Sequence, residues 1–500
     1  MRKRSWLLWI TLAGFVARLG AWIYYAVNIR ALVTQRLPDD ALYYFTIARN
    51  LAQGHGLSFD GIHPTNGMHP LWLFATLPVF LLGLTNWAAI HAVLLFQSVL
   101  DTIVVWFIGS TIYDCLEGAQ ASNRRTAAGS AALLYALSPI AIVRGINGLE
   151  TTITALLLVL WLRAFLRWRS KTLSGVWLGL VTGLLLLART DSFIILLPLC
   201  IYALWTWRSL PAVLIALAIV APWLIWNTLT FGSPLQSSAE AVPFFAMKKY
   251  DVLYGVAGKF LPLTLDAVKN MLKPFLYSTL CISLLTIVYS IGTLRSNMKE
   301  THRSVYFLLA GCLLLLVIHT IFRGFIREWY VQQMVPLFLI GYGISIAVNI
   351  SERAHSGGGR WWLMAILLVL QGLFFMSTHY ASQEAVVDRG VPVVEKLTPK
   401  NRIASFNSGY YGYFANRAGS VVDLDGVVNS DVLRAVKQGA LYEYLNRDSV
   451  DYLLDFQGDF GGYKGLIDPR LLDDFRIDST IATEETGNPI LLYGRKNASR

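Results

Sequence analysis

The sequence has few cysteines, and their positions exclude two common kinds of structural site. There are four in 500 residues, none in a CxxC pair, and all lie within or at the ends of apolar segments: Cys115, Cys200, Cys281 and Cys312. We therefore expect neither a disulfide-stapled C-terminal region nor a cysteine zinc site. His55, His63 and His69 share one loop, but their irregular spacing does not match a zinc pattern, and we predict no histidine metal site.

Charged residues are also scarce, and apolar ones are abundant. They make up 15% and 55% of the chain, and many apolar residues fall in membrane-length runs. This composition excludes a soluble globular protein and predicts a polytopic helical membrane protein. The net charge is +11, yet residues 381–500 hold 14 Lys/Arg against 17 Asp/Glu. The basic surplus therefore belongs to the membrane portion, where topology explains it, and we expect no nucleic-acid partner.

Apolar windows define the predicted membrane spans. The run from Trp6 to about Val27 is too long for a signal peptide and has no small-residue cleavage site after it, so we interpret it as a retained span with a cytoplasmic N-terminus. About 11 spans are predicted, at residues 6–27, 87–113, 127–143, 152–168, 173–189, 192–208, 210–229, 274–294, 304–322, 330–349 and 361–379.

One further apolar run, from Leu71 to Leu84, is too short to cross. A helix of this length reaches only ~24 Å at ~1.5 Å per residue, against a hydrocarbon core of ~30 Å. We interpret it as re-entrant or steeply tilted, because this leaves the short basic loops on the cytoplasmic side, as the positive-inside rule requires. The polar motifs then share the outer side, including the first outer loop at 28–86 and the tail from residue 381.

The C-terminal tail predicts a second domain. Strand-like runs occur at 402–406, 420–424, 451–456, 475–482 and 490–494, and helical patterns at 430–447 and 468–474. This alternation predicts a small extracytoplasmic α/β domain over 381–500, following a membrane module over 1–380. Asn407–Gly412 follows one strand and Asp423–Gly426 ends another. Neither matches a phosphate loop, and turn formation is the simplest interpretation of both.

Adjacent carboxylates, Asp39 and Asp40, follow the first span directly. A helix with an apolar face is predicted from Ala41 to Asn50, and capping of that helix is the structural alternative for the pair. Two neighbouring carboxylates in a partly apolar setting raise the pKa of one of them. One would then take a proton from an acceptor hydroxyl, while the other holds a metal or a sugar hydroxyl. We favour this functional interpretation.

Other polar residues on the same predicted side are candidates for binding substrate or phosphate: Arg327, Arg189, Glu150, Lys248, Lys249 and His69. Each has a structural alternative. Glu150 suits a helix N-terminus, Arg189 suits an ion pair with Asp191, and Arg327 suits the aromatic belt near Trp329. Arg327 is the preferred phosphate ligand. Two charged residues inside spans, Arg18 and Asp101, are expected to form a structural pair.

Several short motifs together resemble a known superfamily. They are Pro38–Gly56, Asn66–Trp72, Asn147–Thr151, Leu187–Asp191, Thr230–Pro234 and Asp423–Asn429, in this order along nearly the whole chain. The set resembles the GT-C membrane glycosyltransferases, specifically the bacterial branch with the terminal arabinofuranosyltransferases of mycobacterial walls. It is more distantly similar to the lipid A aminoarabinose transferase and to protein O-mannosyltransferases. The corner Arg189–Asp191 has Thr where relatives often have Pro, which weakens a role for Asp191.

The resemblance implies an activity. An inverting transferase of the bacterial inner membrane would move a monosaccharide from a polyprenyl-phosphate donor to a glycan, lipid or protein acceptor of the cell envelope. Asp39 and Asp40 would form the catalytic centre. The resemblance does not identify which of the two is the base. No cofactor is required, and a divalent cation on this pair is compatible with the pattern. The alternatives are a polyprenyl-lipid flippase and a non-catalytic glycan-binding membrane protein.

Overall fold

A computed structural model describes residues 4–203, 209–254, 299–323, 327–352, 381–462, 468–483 and 487–496. The spans predicted at 274–294 and 361–379 lie outside these ranges, as does the end of the span predicted at 192–208. In the described part, the membrane module contains α1 (Ser5–Val27), α2 (Ile29–Gln35), α3 (Asp39–Ala52), α4 (Pro70–Leu81), α5 (Asn86–Cys115), α6 (Ala121–Leu137), α7 (Pro139–Gly145), α8 (Thr151–Arg169), α9 (Gly175–Ala188), α10 (Ser192–Ala203), α11 (Leu210–Phe231), α12 (Ser237–Tyr254), α13 (Glu300–Arg323), α14 (Glu328–Gln332) and α15 (Val335–Glu352).

Six helical segments among the described residues are long and apolar enough to cross a membrane, and a bent pair adds a seventh. The pair is α6 with α7, which meet at 60°. Pro139 occupies the first turn of α7, and the Ser138 hydroxyl accepts a hydrogen bond from the backbone of Ala141. Proline and this cap together end one helix and begin the next, which explains the bend. The chain is a multi-pass membrane protein.

The helix α4 corresponds to the apolar run predicted not to cross. It has 12 residues and so extends only ~18 Å at ~1.5 Å per residue. Pro70 lies at its first position, and a second proline, Pro78, lies inside it. A length so far below the ~30 Å core agrees with a helix that stays in one leaflet, and its re-entrant placement stays a prediction.

The predicted pair inside the membrane is formed. The Arg18 Nε donates to Asp101 Oδ2 over 2.7 Å, and both side chains are fully buried. Tyr135 donates its hydroxyl to the other carboxylate oxygen over 2.6 Å. The Arg18 guanidinium also donates to the carbonyl oxygens of Gly14 and Ala136. These contacts satisfy two charges that would otherwise be costly in a membrane.

The two ends of the helical module differ in character. At one end, Arg4, which directly precedes α1, and Arg163 of α8 both contact Asp114 at the end of α5. The other end carries the first outer loop and the C-terminal domain, since Tyr413 donates its hydroxyl to the carbonyl of Asn86 at the start of α5. The polar candidates therefore gather at the end away from these ion pairs.

The C-terminal domain contains a five-stranded mixed sheet with helices around it. Its elements are α16 (Ala381–Ala385), a π-helical turn (Val386–Gly390), α17 (Val391–Leu397), β1 (Ile403–Ser405), α18 (Gly409–Phe414), β2 (Val421–Asp423), α19 (Ser430–Lys437), α20 (Leu441–Arg447), β3 (Tyr452–Phe456), α21 (Gln457–Gly461), β4 (Phe475–Thr483) and β5 (Pro489–Arg495). The strand order is β2-β1-β3-β5-β4. The pairs β1–β2 and β1–β3 are parallel, and the other two are antiparallel. All five predicted strands are present.

Two helix predictions in this domain were wrong in detail. Residues 468–474 form turns, because Asp468 accepts hydrogen bonds from both the backbone and the side chain of Arg470, which stabilises a local turn instead of a helix. The helix predicted over 430–447 is two helices, α19 and α20. Gly439 separates them with a φ of +66°, a left-handed conformation that ends a helix.

The helix predicted after the acidic pair is formed, and its apolar face is only part of the surface that it buries. Nearly every residue of α3 from Ala41 to Asn50 is buried. The C-terminal domain covers the side of α3 that carries Asp39 and Arg49, with α18 packed along it. The first outer loop is therefore an internal layer between the membrane helices and the C-terminal domain.

Candidate active site

Side chains from the two ends of α3 bind the two ends of α18. At the start of α3, the Asp39 carboxylate accepts hydrogen bonds from the backbone amides of Gly409, over 3.0 Å, and Tyr410, over 2.9 Å. At its end, Arg49 donates to the carbonyl oxygens of Gly412, over 3.0 Å, and Tyr413. These are backbone groups that a helix leaves unpaired at its termini, and the charges match the helix dipole. The first outer loop thus holds α18 in a fixed position.

Three glycines allow the backbones of the loop and the domain to approach closely. A Cβ on Gly409 would lie 2.3 Å from the Asp39 carbonyl oxygen, and one on Gly412 would lie 2.3 Å from the ring of Phe59. A Cβ on Gly67 would lie 1.9 Å from the carbonyl oxygen of Val427. A side chain at any of these positions would force the two layers apart.

The alternative that the acidic pair caps its own helix is not what the structure shows. Pro38, and not Asp39 or Asp40, occupies the N-cap position of α3. Burial raises the pKa of Asp39 to about 7, an effect increased by the charge of Asp40 and opposed by the amides of Tyr410 and Gly409. Asp39 exchanges its proton near neutral pH while holding α18.

Asp40 has a different environment. It is exposed and lies between two cavities, which share the residues Asp40, Tyr43, Val242, Trp329, Tyr330 and Val427. We name them cavity I, of ≈ 310 Å³, and cavity II, of ≈ 250 Å³. The Tyr43 pKa lies well above its usual value, because the ring is buried and carboxylates surround it. Its hydroxyl therefore stays protonated beside Asp40. Asp40 thus borders both cavities.

The C-terminal domain supplies much of cavity I. Beyond the shared residues, its lining includes Asp39, Arg327, Phe406, Asn407, Asp425 and Phe456. Four of these six come from the carboxyl ends of β1, β2 and β3. Turn formation is therefore only part of what these two segments do: Asn407–Gly412 includes the start of α18, and both Asn407–Gly412 and Asp423–Gly426 contribute residues to the cavity. Burial, with the nearby charge of Asp425, raises the pKa of Asp423 to about 8.

A buried ion-pair network lines cavity II. Arg189 donates to Glu150 over 2.7 Å and to both oxygens of Asp191, over 2.9 and 3.2 Å. Tyr44 donates to Glu150 over 2.9 Å, and His319 contacts Asp191 over 2.9 Å. The ion pair expected at the Arg-Thr-Asp corner is formed. Two carboxylates already neutralise the Arg189 charge.

Of the four remaining candidates for binding substrate or phosphate, two line a cavity and two do not belong to either described lining. Arg327 lines cavity I, and its guanidinium lies 5.7 Å from the Trp329 ring centroid. His69 lines cavity II, with Nε2 3.8 Å from Glu150. Lys248 is exposed beside Phe244 and is not part of either lining. The side chain of Lys249 lies outside the described residues.

Sequence reasoning missed the cavity residues of the C-terminal domain. Asn407 and Asp425 each follow a strand, and ligands of α/β sheets gather at carboxyl strand ends. That signal was present in the sequence. Finding the site from it also required the strand order and the contact with α3, which residues so far apart in the chain do not reveal.

No group of three or more His, Cys, Asp or Glu side chains suited to a metal ion occurs among the described residues. Asp40 and Asp425 both line cavity I, and would be the residues to contact a cation brought there by substrate. Such a pair supplies fewer protein ligands than a dedicated metal site.

The fold is similar to that of solved membrane proteins of the GT-C type. The crystal structure of ArnT from Cupriavidus metallidurans bound to undecaprenyl phosphate matches with a TM-score of 0.56 and 12% identity, over 99% of both chains. The crystal structure of the Archaeoglobus fulgidus oligosaccharyltransferase with zinc and sulfate matches with a TM-score of 0.52 and 12% identity, over 96% of this chain and 72% of that one. The same oligosaccharyltransferase tethered to an acceptor peptide matches at 0.51 and 11% identity, over 99% and 74%. The chain has the GT-C fold, as its motifs implied.

Sequence comparison adds a domain of unknown function. Residues 378–493 match a family model described in those words, DUF8728, and it corresponds to the C-terminal domain. No curated protein sequence matches the chain. At 11–12% identity, the structural likeness establishes the fold and leaves donor, acceptor and reaction to be proposed.

Proposed function

We propose that the protein is an inverting glycosyltransferase that uses a polyprenyl-phosphate monosaccharide, with Asp40 as the general base. The observation that carries this assignment is that the two residues of the acidic pair have different environments. Both oxygens of Asp39 accept hydrogen bonds from backbone amides of α18, whereas Asp40 is exposed where cavities I and II meet. A base has to reach the acceptor hydroxyl, and Asp40 meets that requirement.

The donor phosphate is assigned to Arg327. Arg189 is the other candidate, but Glu150 and Asp191 already bind its guanidinium. Arg327 lines the same cavity as Asp40, and a guanidinium suits bidentate contact with phosphate oxygens. The ArnT structure with undecaprenyl phosphate supports a lipid phosphate as the carrier in this fold.

The reaction follows from these positions. Asp40 takes the proton of an acceptor hydroxyl, and that oxygen attacks the anomeric carbon from the face opposite the phosphate. The bond between the anomeric carbon and the phosphate oxygen breaks, and its electrons leave with the lipid phosphate, next to Arg327. The anomeric configuration inverts. The donor is already activated, so neither a nucleotide nor a metal is needed.

The positive-inside argument assigns the site to the outer face of a bacterial inner membrane, with a cytoplasmic N-terminus. The acceptor would then be a glycan, lipid or protein of the cell envelope. The proximity of the polar candidates to the C-terminal domain supports a common side. Cysteines introduced at Gly461 and at Lys171 should differ in reaction with a membrane-impermeant reagent on intact cells. Labelling of Lys171→Cys alone would reverse the orientation.

The direct test supplies purified protein with polyprenyl-phosphate monosaccharides of different sugars and a mixed acceptor extract. We expect release of free lipid phosphate with at least one donor, and much less release by Asp40→Asn. A flippase would instead move the intact donor across vesicles and release no lipid phosphate. A glycan-binding protein would bind saccharide and leave every donor intact.

A further inference from the structure

Asn407 occupies a special position in the C-terminal sheet. It comes two residues after β1, whose neighbours are β2 on one side and β3 on the other. The chain therefore leaves β1 for one neighbour and later returns to pair on its opposite side, which makes the carboxyl end of β1 a topological switch point. In open α/β sheets, ligands bind outside the carboxyl ends of strands at such points. Asn407 and Phe456, which ends β3, line cavity I together with Asp40.

The Asn407 amide has one possible orientation. Its nitrogen donates to Asp455 Oδ1 over 2.7 Å and to Asp459 Oδ2 over 2.8 Å. An ionised carboxylate only accepts hydrogen bonds, so the nitrogen, and not the oxygen, has to face these two residues. Both amide hydrogens are then used. The side-chain carbonyl oxygen then accepts no hydrogen bond from a donor of the chain within the described ranges, and Asn407 lines cavity I.

The residue that fixes this amide is itself held firmly. Asp455 is buried, with 1% of its surface exposed. It accepts hydrogen bonds from the backbone amides of Phe406, over 2.7 Å, and Asn407, over 2.9 Å, and from the hydroxyl of Ser405, over 2.9 Å. The Asn407 oxygen is consequently a preorganised acceptor on a rigid segment, a property of groups that fix ligand orientation.

The rest of this wall suits one kind of ligand. Aromatic rings of Phe406, Phe456 and Tyr410 line cavity I, and the carboxylates of Asp40 and Asp425 add hydrogen-bond acceptors. Hydroxyl groups match the acceptors, and the C–H faces of a sugar ring match the aromatic rings. An anionic group would be repelled by the carboxylates at this wall. The cavity volume of ≈ 310 Å³ falls in the range of small-molecule sites.

Resting on the glycosyltransferase function proposed above, we propose that the Asn407 oxygen accepts a hydrogen bond from one hydroxyl of a sugar bound in cavity I. The residue thereby determines which carbohydrate is used, and the C-terminal domain takes part in substrate selection. The hydroxyl belongs to the donor monosaccharide or to the terminal sugar of the acceptor. Both present the same chemistry to this wall.

The test combines a protein change with a substrate change. The kcat/KM is measured for wild type and Asn407→Leu with the preferred donor and acceptor, and with analogues of each that lack one hydroxyl. Wild type should lose roughly three- to tenfold on one deoxy analogue, the factor for one neutral hydrogen bond. For Asn407→Leu, kcat/KM with the parent sugar should be lower than that of wild type by a similar factor. Removing that hydroxyl from the sugar should not lower the kcat/KM of this variant any further.

The experiment also identifies which sugar Asn407 contacts. The variant should lose discrimination against a donor analogue if the hydroxyl belongs to the donor, and against an acceptor analogue if it belongs to the acceptor. Discrimination is the ratio of kcat/KM for the parent sugar and its analogue within one variant, so a partial folding defect cancels in that ratio. Asn407→Ser gives the same test without an apolar chain beside Asp455. Asp459→Ala, which removes one of the two amide partners, should weaken the discrimination partly. Asn416→Leu, an exposed position of the same domain outside both linings, should discriminate as wild type does.

The outcomes separate the two proposals. Wild-type transfer combined with unchanged discrimination in both Asn407 variants would overturn the role of Asn407 and leave the transferase standing. Absence of transfer by wild type with every donor would overturn the proposed function and this inference with it.

Discussion

Asp39 and Gly409, which lie 370 positions apart in the chain, are in direct contact. The Gly409 amide donates to the Asp39 carboxylate over 3.0 Å, and a Cβ on Gly409 would come within 2.3 Å of the Asp39 carbonyl oxygen. The same carboxylate also binds the Tyr410 amide. This contact joins the first outer loop to the C-terminal domain beside the proposed base, so the domain is part of the site.

The first prediction concerns this contact. Gly409→Ala should separate α18 from α3 and lower the stability of the docked domain by about 1–3 kcal/mol, the usual cost of overpacking. Hydrogen exchange at the amides of α18 should accelerate, and lipid-phosphate release should fall. The matched control is Gly461→Ala, at an open position of the same domain where a Cβ meets nothing within 4 Å. Equal exchange rates in the two variants would contradict the proposed docking.

The second prediction is a pH dependence of stability. The Asp39 pKa is about 7 in the folded protein and near its ordinary value of 3.8 when unfolded, so the folded state binds more protons between these values. Stability from this group is therefore greatest below pH ~4, decreases as the pH rises to ~7, and is constant above. The slope is at most about 1.4 kcal/mol per pH unit. Asp39→Asn should flatten the dependence of the apparent Tm on pH in this window. An unchanged profile would rule out titration of Asp39.

The third prediction concerns the pair in the membrane module. Asp101→Leu leaves the Arg18 charge buried without its partner and should cost about 3–5 kcal/mol. Replacing both residues, by Arg18→Met with Asp101→Leu, should recover most of that loss, since apolar side chains replace buried pairs well. Thermal unfolding in detergent measures both variants. A double variant less stable than the single one would show that the pair itself is required.

The fourth prediction concerns metal ions. The proposed mechanism uses an activated donor and a carboxylate base, so transfer should persist in EDTA within about twofold. Loss of transfer on chelation, restored by a divalent cation, would instead show that Asp40 and its neighbours bind a metal with the substrate. Calcium, magnesium, manganese and zinc should be tested separately, because their preferred ligands differ.

The sequence predicted the parts of the structure that depend on local pattern. Apolar length marked the long membrane helices that the structure describes, strand-like runs marked the five strands, and two charges inside the membrane pointed to the pair of Arg18 and Asp101. The acidic pair stood out because adjacent carboxylates follow a span directly. Each of these signals lies in a short stretch of chain.

The contacts between distant segments were beyond such patterns. The burial of α3 on both sides depends on α18, and α18 takes its position from Asp39 and Arg49. The orientation of the Asn407 amide depends on Asp455 and Asp459, which accept hydrogen bonds from its nitrogen. A pattern of polar residues indicates that a segment forms a turn or a helix end, but it does not identify the surface on which that segment packs.

The most direct measurement is single-turnover sugar transfer by Asp40→Asn and Asp39→Asn, each at saturating donor and acceptor. Asp40→Asn should lose about 10²–10⁴-fold in rate, as expected for removal of a general base, while keeping the wild-type Tm. Asp39→Asn keeps the base and should retain far more activity, with a destabilised C-terminal domain. Transfer by Asp40→Asn at the wild-type rate, with Asp39→Asn inactive, would contradict the account and move the base to Asp39.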